Sequence, residues 1–155
     1  MYRWIVFLHV FSAFVYILAH GVQAAVMLKL RSEADPERSL MLFNALDGTR
    51  LQRYTLALVV VTGLIAGFMG RYWGRGWMWT ALVLLVVIAV VMRRYGSGYY
   101  DLVEGAANRA IAEQKSQASL EAFAVARAAW RPVGVTEIGI GGLAAMIWLM
   151  MFKPF

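Results

Sequence analysis

The chain opens with an apolar segment, Trp4 to Leu28, in which 25 consecutive residues carry no formal charge. About 20 apolar residues in a helix cross the hydrocarbon core of a bilayer, so this segment is long enough to span a membrane. Three further apolar segments follow, at residues 54–70, 77–92 and 132–152. We therefore expect four transmembrane helices.

Composition supports an integral membrane protein: 61% of the 155 residues are hydrophobic, 15% are charged, and the mean hydropathy is +0.63. The net charge is +6, but the basic residues flank the apolar segments. This pattern predicts contact with lipid headgroups of the bilayer and no nucleic-acid partner. The absence of cysteine excludes disulfides, iron–sulfur clusters, thiolate metal sites and attached c-type haem.

Two polar segments, residues 31–50 and 93–131, separate the predicted spans. The first contains Asp35-Pro36-Glu37, where aspartate suits a helix N-cap and proline a first turn, so we expect a short interfacial helix there. The second is rich in helix-forming residues from Tyr99 onward, after a predicted break at Gly96-Ser97-Gly98. It predicts an amphipathic helix or a helical hairpin at the membrane surface.

The distribution of basic residues predicts how the chain is oriented in the membrane. Eleven of them lie in or beside these two long segments, and four, Arg3, Arg71, Arg75 and Lys153, lie on the other side of the predicted spans. The positive-inside rule then places both termini outside and both long loops in the cytoplasm.

Helix packing is predicted from polar and small residues. The second span carries Gly63 and Gly67 in a GxxxG pattern that lets another helix backbone approach closely. The third has Thr80 as its only polar side chain, so we expect it to be exposed to lipid. The fourth carries a stripe of mostly small residues, at Gly134, Glu137, Gly141, Ala145 and Trp148. The expected fold is an all-α integral membrane four-helix bundle with cytoplasmic amphipathic surface helices. It forms a single domain, residues 1–155, with the first, second and fourth spans at its centre.

The first span carries a polar stripe. The stripe consists of His9, Ser12, Tyr16, His20 and Gln23. Successive members are 3, 4, 4 and 3 residues apart, which places them on one face of a helix. His9 and His20 are the only histidines, and they lie about 16 Å apart along the helix axis.

Glu137 is the only acidic residue within a predicted span. An intramembrane carboxylate is costly and usually faces a partner. The spans place Glu137 and His20 at similar depth, so we predict that they pair, with Gln23 nearby. The pair is a structural polar clasp, a proton site, or a contact in which Glu137 orients a histidine that binds a cofactor.

Histidine and methionine side chains are the candidate cofactor ligands. His9 and His20 are candidate haem or metal ligands, and Tyr16, Met69 and Met146 are further candidate contacts. Histidine beside methionine can bind haem iron or Cu(I), although methionine more often only fills apolar gaps. No other helix carries histidine, so haem would need one axial His, a His–Met pair, or a ligand from a second copy or another subunit.

The opening run Trp4-Ile5-Val6-Phe7-Leu8-His9-Val10-Phe11-Ser12-Ala13 resembles the first span of small bacterial four-span membrane proteins. It is similar to the integral membrane proteins related to copper-resistance-D-like proteins and to HemJ-type protoporphyrinogen oxidases. The resemblance implies a haem or copper ligand role for His9 and a location in the bacterial inner membrane. HemJ-type proteins also use a lysine within the membrane, whereas Lys29, Lys115 and Lys153 all lie outside the predicted spans.

The sequence thus favours a small membrane protein that binds haem b and acts in electron transfer or haem handling. Two alternatives stay open. One is a non-catalytic structural or assembly subunit of a larger respiratory or photosynthetic membrane complex, and the other is a copper or proton carrier. For each of these three functions we expect the partners to be further copies of the chain, in a homo-oligomer, or other membrane subunits. The sequence does not decide whether the protein is an enzyme.

Overall fold

The computed structural model describes residues 1–45, 49–129 and 131–155, and at 45, 49–50, 96–97 and 131–132 it describes the backbone alone. All regular secondary structure in these ranges is helical. The helices are α1 (Tyr2–Ser32), α2 (Pro36–Ala45), α3 (Thr49–Met69), α4 (Gly76–Ala112), α5 (Gln117–Arg127) and α6 (Arg131–Phe152), with a 3₁₀ turn at Tyr72–Gly74. Four of them, α1, α3, α4 and α6, are long and apolar enough to cross a membrane. The all-α prediction with four such helices is confirmed.

The chain forms two compact units. The first unit comprises Met1–Gly21, Gly48–Ile88 and Ile140–Phe155, and the second comprises Val22–Asp47 and Ala89–Gly139. Helices α1, α4 and α6 each contribute residues to both units.

The third apolar segment, the first part of α4, has an inward face, contrary to our expectation. Trp77, Met78 and Ala81 are buried. Further along, Ile88 packs on α6, because a Cβ atom on Gly142 would lie 2.5 Å from its Cδ1. The opposite face is exposed, at Val83, Val86, Val87 and Val90. An almost uniformly aliphatic segment has no polar contrast between its faces, so its sequence pattern could not identify the packed one.

The stripe predicted to pack on the fourth span is largely exposed instead. Three of its five members, Glu137, Gly141 and Trp148, are exposed, whereas Gly134 is buried and Ala145 is half-buried. The other buried residues of α6 are Val135, Gly139 and Leu149. The packed line is therefore rotated by about one residue, or about 100°, from the predicted one. Most α6 side chains are apolar, so packing was decided by which small residues meet a bulky neighbour, as Gly142 meets Ile88.

In the second unit α4 and α5 form a helical hairpin, one of the two arrangements predicted for residues 93–131. The predicted break was wrong, because α4 continues through Gly96-Ser97-Gly98 to Ala112. Burial of one face of the continued helix against α5 compensates for the poor helix propensity of glycine. The core of the hairpin is Tyr99, Val103, Ala107, Ala110, Phe123 and Ala126, joined by Met27 of α1.

The predicted start of α2 is confirmed. Pro36 is its first residue, and the Asp35 carboxylate accepts a hydrogen bond from the Glu37 backbone N–H at 3.2 Å. The Lys115 ammonium, in the turn between α4 and α5, lies 3.2 Å from the Glu37 carboxylate and 3.4 Å from that of Asp35. The hydrogen bond to Glu37 is the largest of the effects that raise the pKa of Lys115.

Candidate functional site

The His9 imidazole is held against α3 by hydrogen bonds. Its Nδ1 lies 2.9 Å from the Val59 carbonyl oxygen and 3.3 Å from the Thr62 hydroxyl. A carbonyl oxygen can only accept, so His9 Nδ1 carries the proton and donates it. In the neutral ring Nε2 then has a free lone pair, and it makes no hydrogen bond within the described part of the chain.

Gly63 provides the space for this ring. A Cβ atom there would lie 2.9 Å from His9 Cε1 and 3.2 Å from Nδ1, closer than ordinary contacts. At Gly67 the nearest atom is the terminal carbon of the Met78 side chain, at 2.6 Å from a built Cβ. The GxxxG pattern therefore admits side chains, an imidazole and a thioether, where we had expected the backbone of another helix.

His20 makes a second polar contact with α3. Its Nδ1 lies 3.2 Å from the Gln52 amide nitrogen, and its ring stacks on Tyr16 with centroids 6.0 Å apart. A glutamine amide can present either its NH₂ group or its oxygen, so this contact leaves the His20 tautomer open. His20 Nε2 is buried and has no hydrogen-bond partner among the described residues.

Small polar residues between these contacts are buried and satisfied by their own helices. Ser12, Thr55 and Thr62 are 1%, 8% and 4% exposed. Their hydroxyls donate to the carbonyl four residues earlier, at 2.6, 2.8 and 2.6 Å respectively. Because the hydroxyls are satisfied within each helix, they can be buried at low cost, as is typical of small polar residues in membrane helix interfaces.

The residues of α3 at this site were missed in the sequence analysis. Gln52, Thr55, Val59 and Thr62 follow one another at +3, +4 and +3, the same helical spacing that identified the stripe on α1. Thr55 and Thr62, seven residues apart on one face of the second span, were the available signal, whereas Gln52 lies outside residues 54–70 and Val59 is apolar.

Of the other predicted residues, Tyr16 lies against the His20 ring. Tyr16, Gln23 and Met146 are half-buried, and Met69 is exposed. Glu137 is exposed and belongs to the second unit, whereas His20 belongs to the first. The predicted pair of His20 and Glu137 therefore stays a prediction.

His9 and His20 contact α3 separately, with Val59 and Thr62 around the first and Gln52 at the second. Within residues 1–45, 49–129 and 131–155, no three His, Asp or Glu side chains come together as a metal site. A metal ion bound to either histidine would need its remaining ligands from methionine, another chain or solvent. Comparison of the chain with protein families, with curated proteins and with solved structures gave no match.

Proposed function

We propose that the chain is a multi-pass protein of the bacterial inner membrane that binds haem b through His9, for electron transfer or haem handling. The proposal rests chiefly on the hydrogen bond from His9 Nδ1 to the Val59 carbonyl. Metal-ligating histidines usually donate their second ring N–H to a carbonyl or carboxylate, which fixes the tautomer and orients the ring. His9 has this arrangement, with Nε2 as the free ligand atom.

The residues around His9 fit one axial ligand of a haem. Val59 and Thr62 fix the ring, Gly63 makes room for it, and His9 is half-buried. Bound haem would supply one-electron chemistry. Any further ligand of the iron would come from Met69, Met146, or a residue of a second copy or another subunit. If the metal were Cu(I), the same methionines would be suitable soft ligands.

The proposed topology has the termini outside and α2 and α5 at the cytoplasmic surface, as the basic residues favour. The cysteine-free chain allows a direct test by single-cysteine labelling. We expect a membrane-impermeant maleimide to label Gly74→Cys in intact cells and Glu113→Cys only after permeabilisation. Both positions are exposed. The reverse pattern would invert the topology.

A structural or assembly role is the second candidate, favoured by the use of both histidines as hydrogen-bonding links from α1 to α3. In this case the imidazoles would hold the helix pair together and bind nothing. The exposed Glu137 on α6 would then face another subunit of a membrane complex. If the protein is instead a copper or proton carrier, Glu137 would be its proton site.

One substitution separates the two candidates. Asparagine at position 9 keeps an N–H donor near the position of Nδ1 but is not an axial haem ligand. For a haem protein, we expect a Soret band in the wild type that is lost in His9→Asn and retained in the control His20→Asn. Circular dichroism should show that all three proteins are folded.

The structural candidate predicts a different result. The wild type, purified from cells supplied with haem precursor, would be colourless. His9→Asn would then be close to wild type in thermal stability, and His9→Ala would be less stable. A colourless wild-type protein with this stability pattern would refute haem binding.

A further inference from the structure

A cavity of about 410 Å³ lies where the turn between α3 and α4 meets the residues that follow α6. It is lined by Tyr72, Arg75, Trp77, Lys153, Pro154 and Phe155, all of the first unit. Two of these residues are cationic and two carry polar aromatic rings, a combination suited to an anionic group beside an apolar surface.

The backbone after α6 turns sharply and presents Lys153 to this cavity. Lys153 has a left-handed φ of 45° and donates its backbone N–H to the Leu149 carbonyl at 3.1 Å. This geometry is a helix C-terminal cap that glycine usually occupies, and Pro154 prevents the helix from continuing. The chain then returns to α4, where the Trp77 N–H donates to the Phe155 oxygen at 3.3 Å. A lysine thus stands where backbone geometry alone would favour glycine.

No acidic side chain of the first unit accompanies the two cations of the cavity. Residues 1–21, 48–88 and 140–155 contain no Asp or Glu, because all nine acidic residues belong to the second unit. Among the described residues, neither Arg75 nor Lys153 forms an ion pair with a carboxylate. Lys153 Nζ instead lies 4.8 Å from the centroid of the Tyr72 ring and 5.7 Å from that of Trp77.

The Lys153 ammonium also acts on Tyr72, which lies in the turn between α3 and α4. The pKa of Tyr72 is lowered, first by its hydrogen bond with the Tyr2 hydroxyl and then by the Lys153 ammonium. Tyrosine and tryptophan are typical of the membrane–water interface, where phospholipid phosphates lie. Arginine binds phosphate through a planar fork of donors and lysine through a compact charge.

We propose that this cavity binds a phosphate-bearing anion, held by Arg75 and Lys153. A phospholipid headgroup and free phosphate share this chemistry, and the aromatic surroundings favour the headgroup. The site is independent of any ligand at His9.

The test measures lipid binding to the purified full chain by native mass spectrometry. The probes are phosphatidylglycerol, zwitterionic phosphatidylcholine and inorganic phosphate. Lys153→Gly removes the cation and suits the left-handed backbone, so it should preserve the end of α6. Arg75→Gln removes the second cation. Arg3→Gln is the matched control, because Arg3 is an exposed cation of the same unit outside the cavity lining.

We expect phosphatidylglycerol to bind more tightly than phosphatidylcholine. Each cavity variant should weaken its binding about tenfold, the value of one charge-assisted hydrogen bond, and Arg3→Gln should leave it unchanged. Competition by excess inorganic phosphate would identify free phosphate as the source, and lack of competition would identify the lipid. Equal affinity of the wild type, Lys153→Gly and Arg75→Gln for both phosphatidylglycerol and inorganic phosphate would overturn the proposal.

Discussion

Replacing Gly63 with alanine should destabilise the contact between α1 and α3 at His9. The new methyl carbon would lie 2.9 Å from His9 Cε1, whereas carbon atoms pack best at about 3.5–4.0 Å. The ring would have to move by roughly 0.6–1 Å, which takes Nδ1 beyond hydrogen-bond distance of the Val59 carbonyl oxygen, now 2.9 Å away. Overpacking of this kind costs about 1–3 kcal/mol. Loss of a hydrogen bond between membrane helices adds about 0.6 kcal/mol, and the better helix propensity of alanine offsets roughly 0.5–1 kcal/mol.

We therefore expect Gly63→Ala to lower the free energy of unfolding by about 1–3 kcal/mol, measured by thermal or denaturant unfolding in detergent. Gly21→Ala is the matched control, because a Cβ atom there has no neighbour within 4 Å. It should be neutral or stabilising by about 0.5–1 kcal/mol. In a His9→Ala background the cost of Gly63→Ala should disappear, since the two effects share one contact. Equal stability of the two glycine variants, or an unchanged cost without the imidazole, would refute the reasoning.

Three further predictions concern the second unit. Phe123 is 1% exposed in the hairpin core, so Phe123→Ala should cost about 3–5 kcal/mol in denaturant unfolding. Asp35→Ala removes the cap of α2 and should cost about 1 kcal/mol, most of it recovered by Asp35→Asn, since asparagine caps equally well. Lys115→Met should lower the melting temperature slightly at neutral pH. Because contact with Glu37 raises the pKa of Lys115 in the folded state, the difference in melting temperature between wild type and Lys115→Met has its full size below the pKa of Lys115 in the unfolded chain. It should fade as pH rises through the folded pKa, above about 10.5.

Each of these has its own control. Val125→Ala on α5 replaces a residue that is 75% exposed and should change stability little. If Phe123→Ala cost no more stability than Val125→Ala, the assignment of Phe123 to the core would be contradicted. If Asp35→Asn were as unstable as Asp35→Ala, the carboxylate charge and not the cap would be responsible. Melting temperatures of wild type and Lys115→Met that stay parallel throughout the alkaline range would exclude the ion pair with Glu37.

Much of the fold followed from local patterns in the sequence. Apolar length alone identified the four long helices, because the number of residues needed to cross a bilayer is fixed by its thickness. The residues Asp35-Pro36 identified the start of α2, because capping depends on neighbours within one turn. The polar stripe on α1 indicated which side of that helix turns inward, and the burial of Ser12 confirms it.

The tertiary structure alone decided which partner each helix face meets. The stripe with His9 and His20 meets α3, for which no contact with these histidines had been predicted. The predicted pairing of His20 with Glu137 stays a prediction. Helices rich in apolar residues present several nearly equivalent faces, so packing depends on how a side chain such as the His9 ring fits a gap such as that at Gly63. Segment length and local capping are properties of the chain itself. The fit between residues far apart in the sequence exists only once the helices have come together.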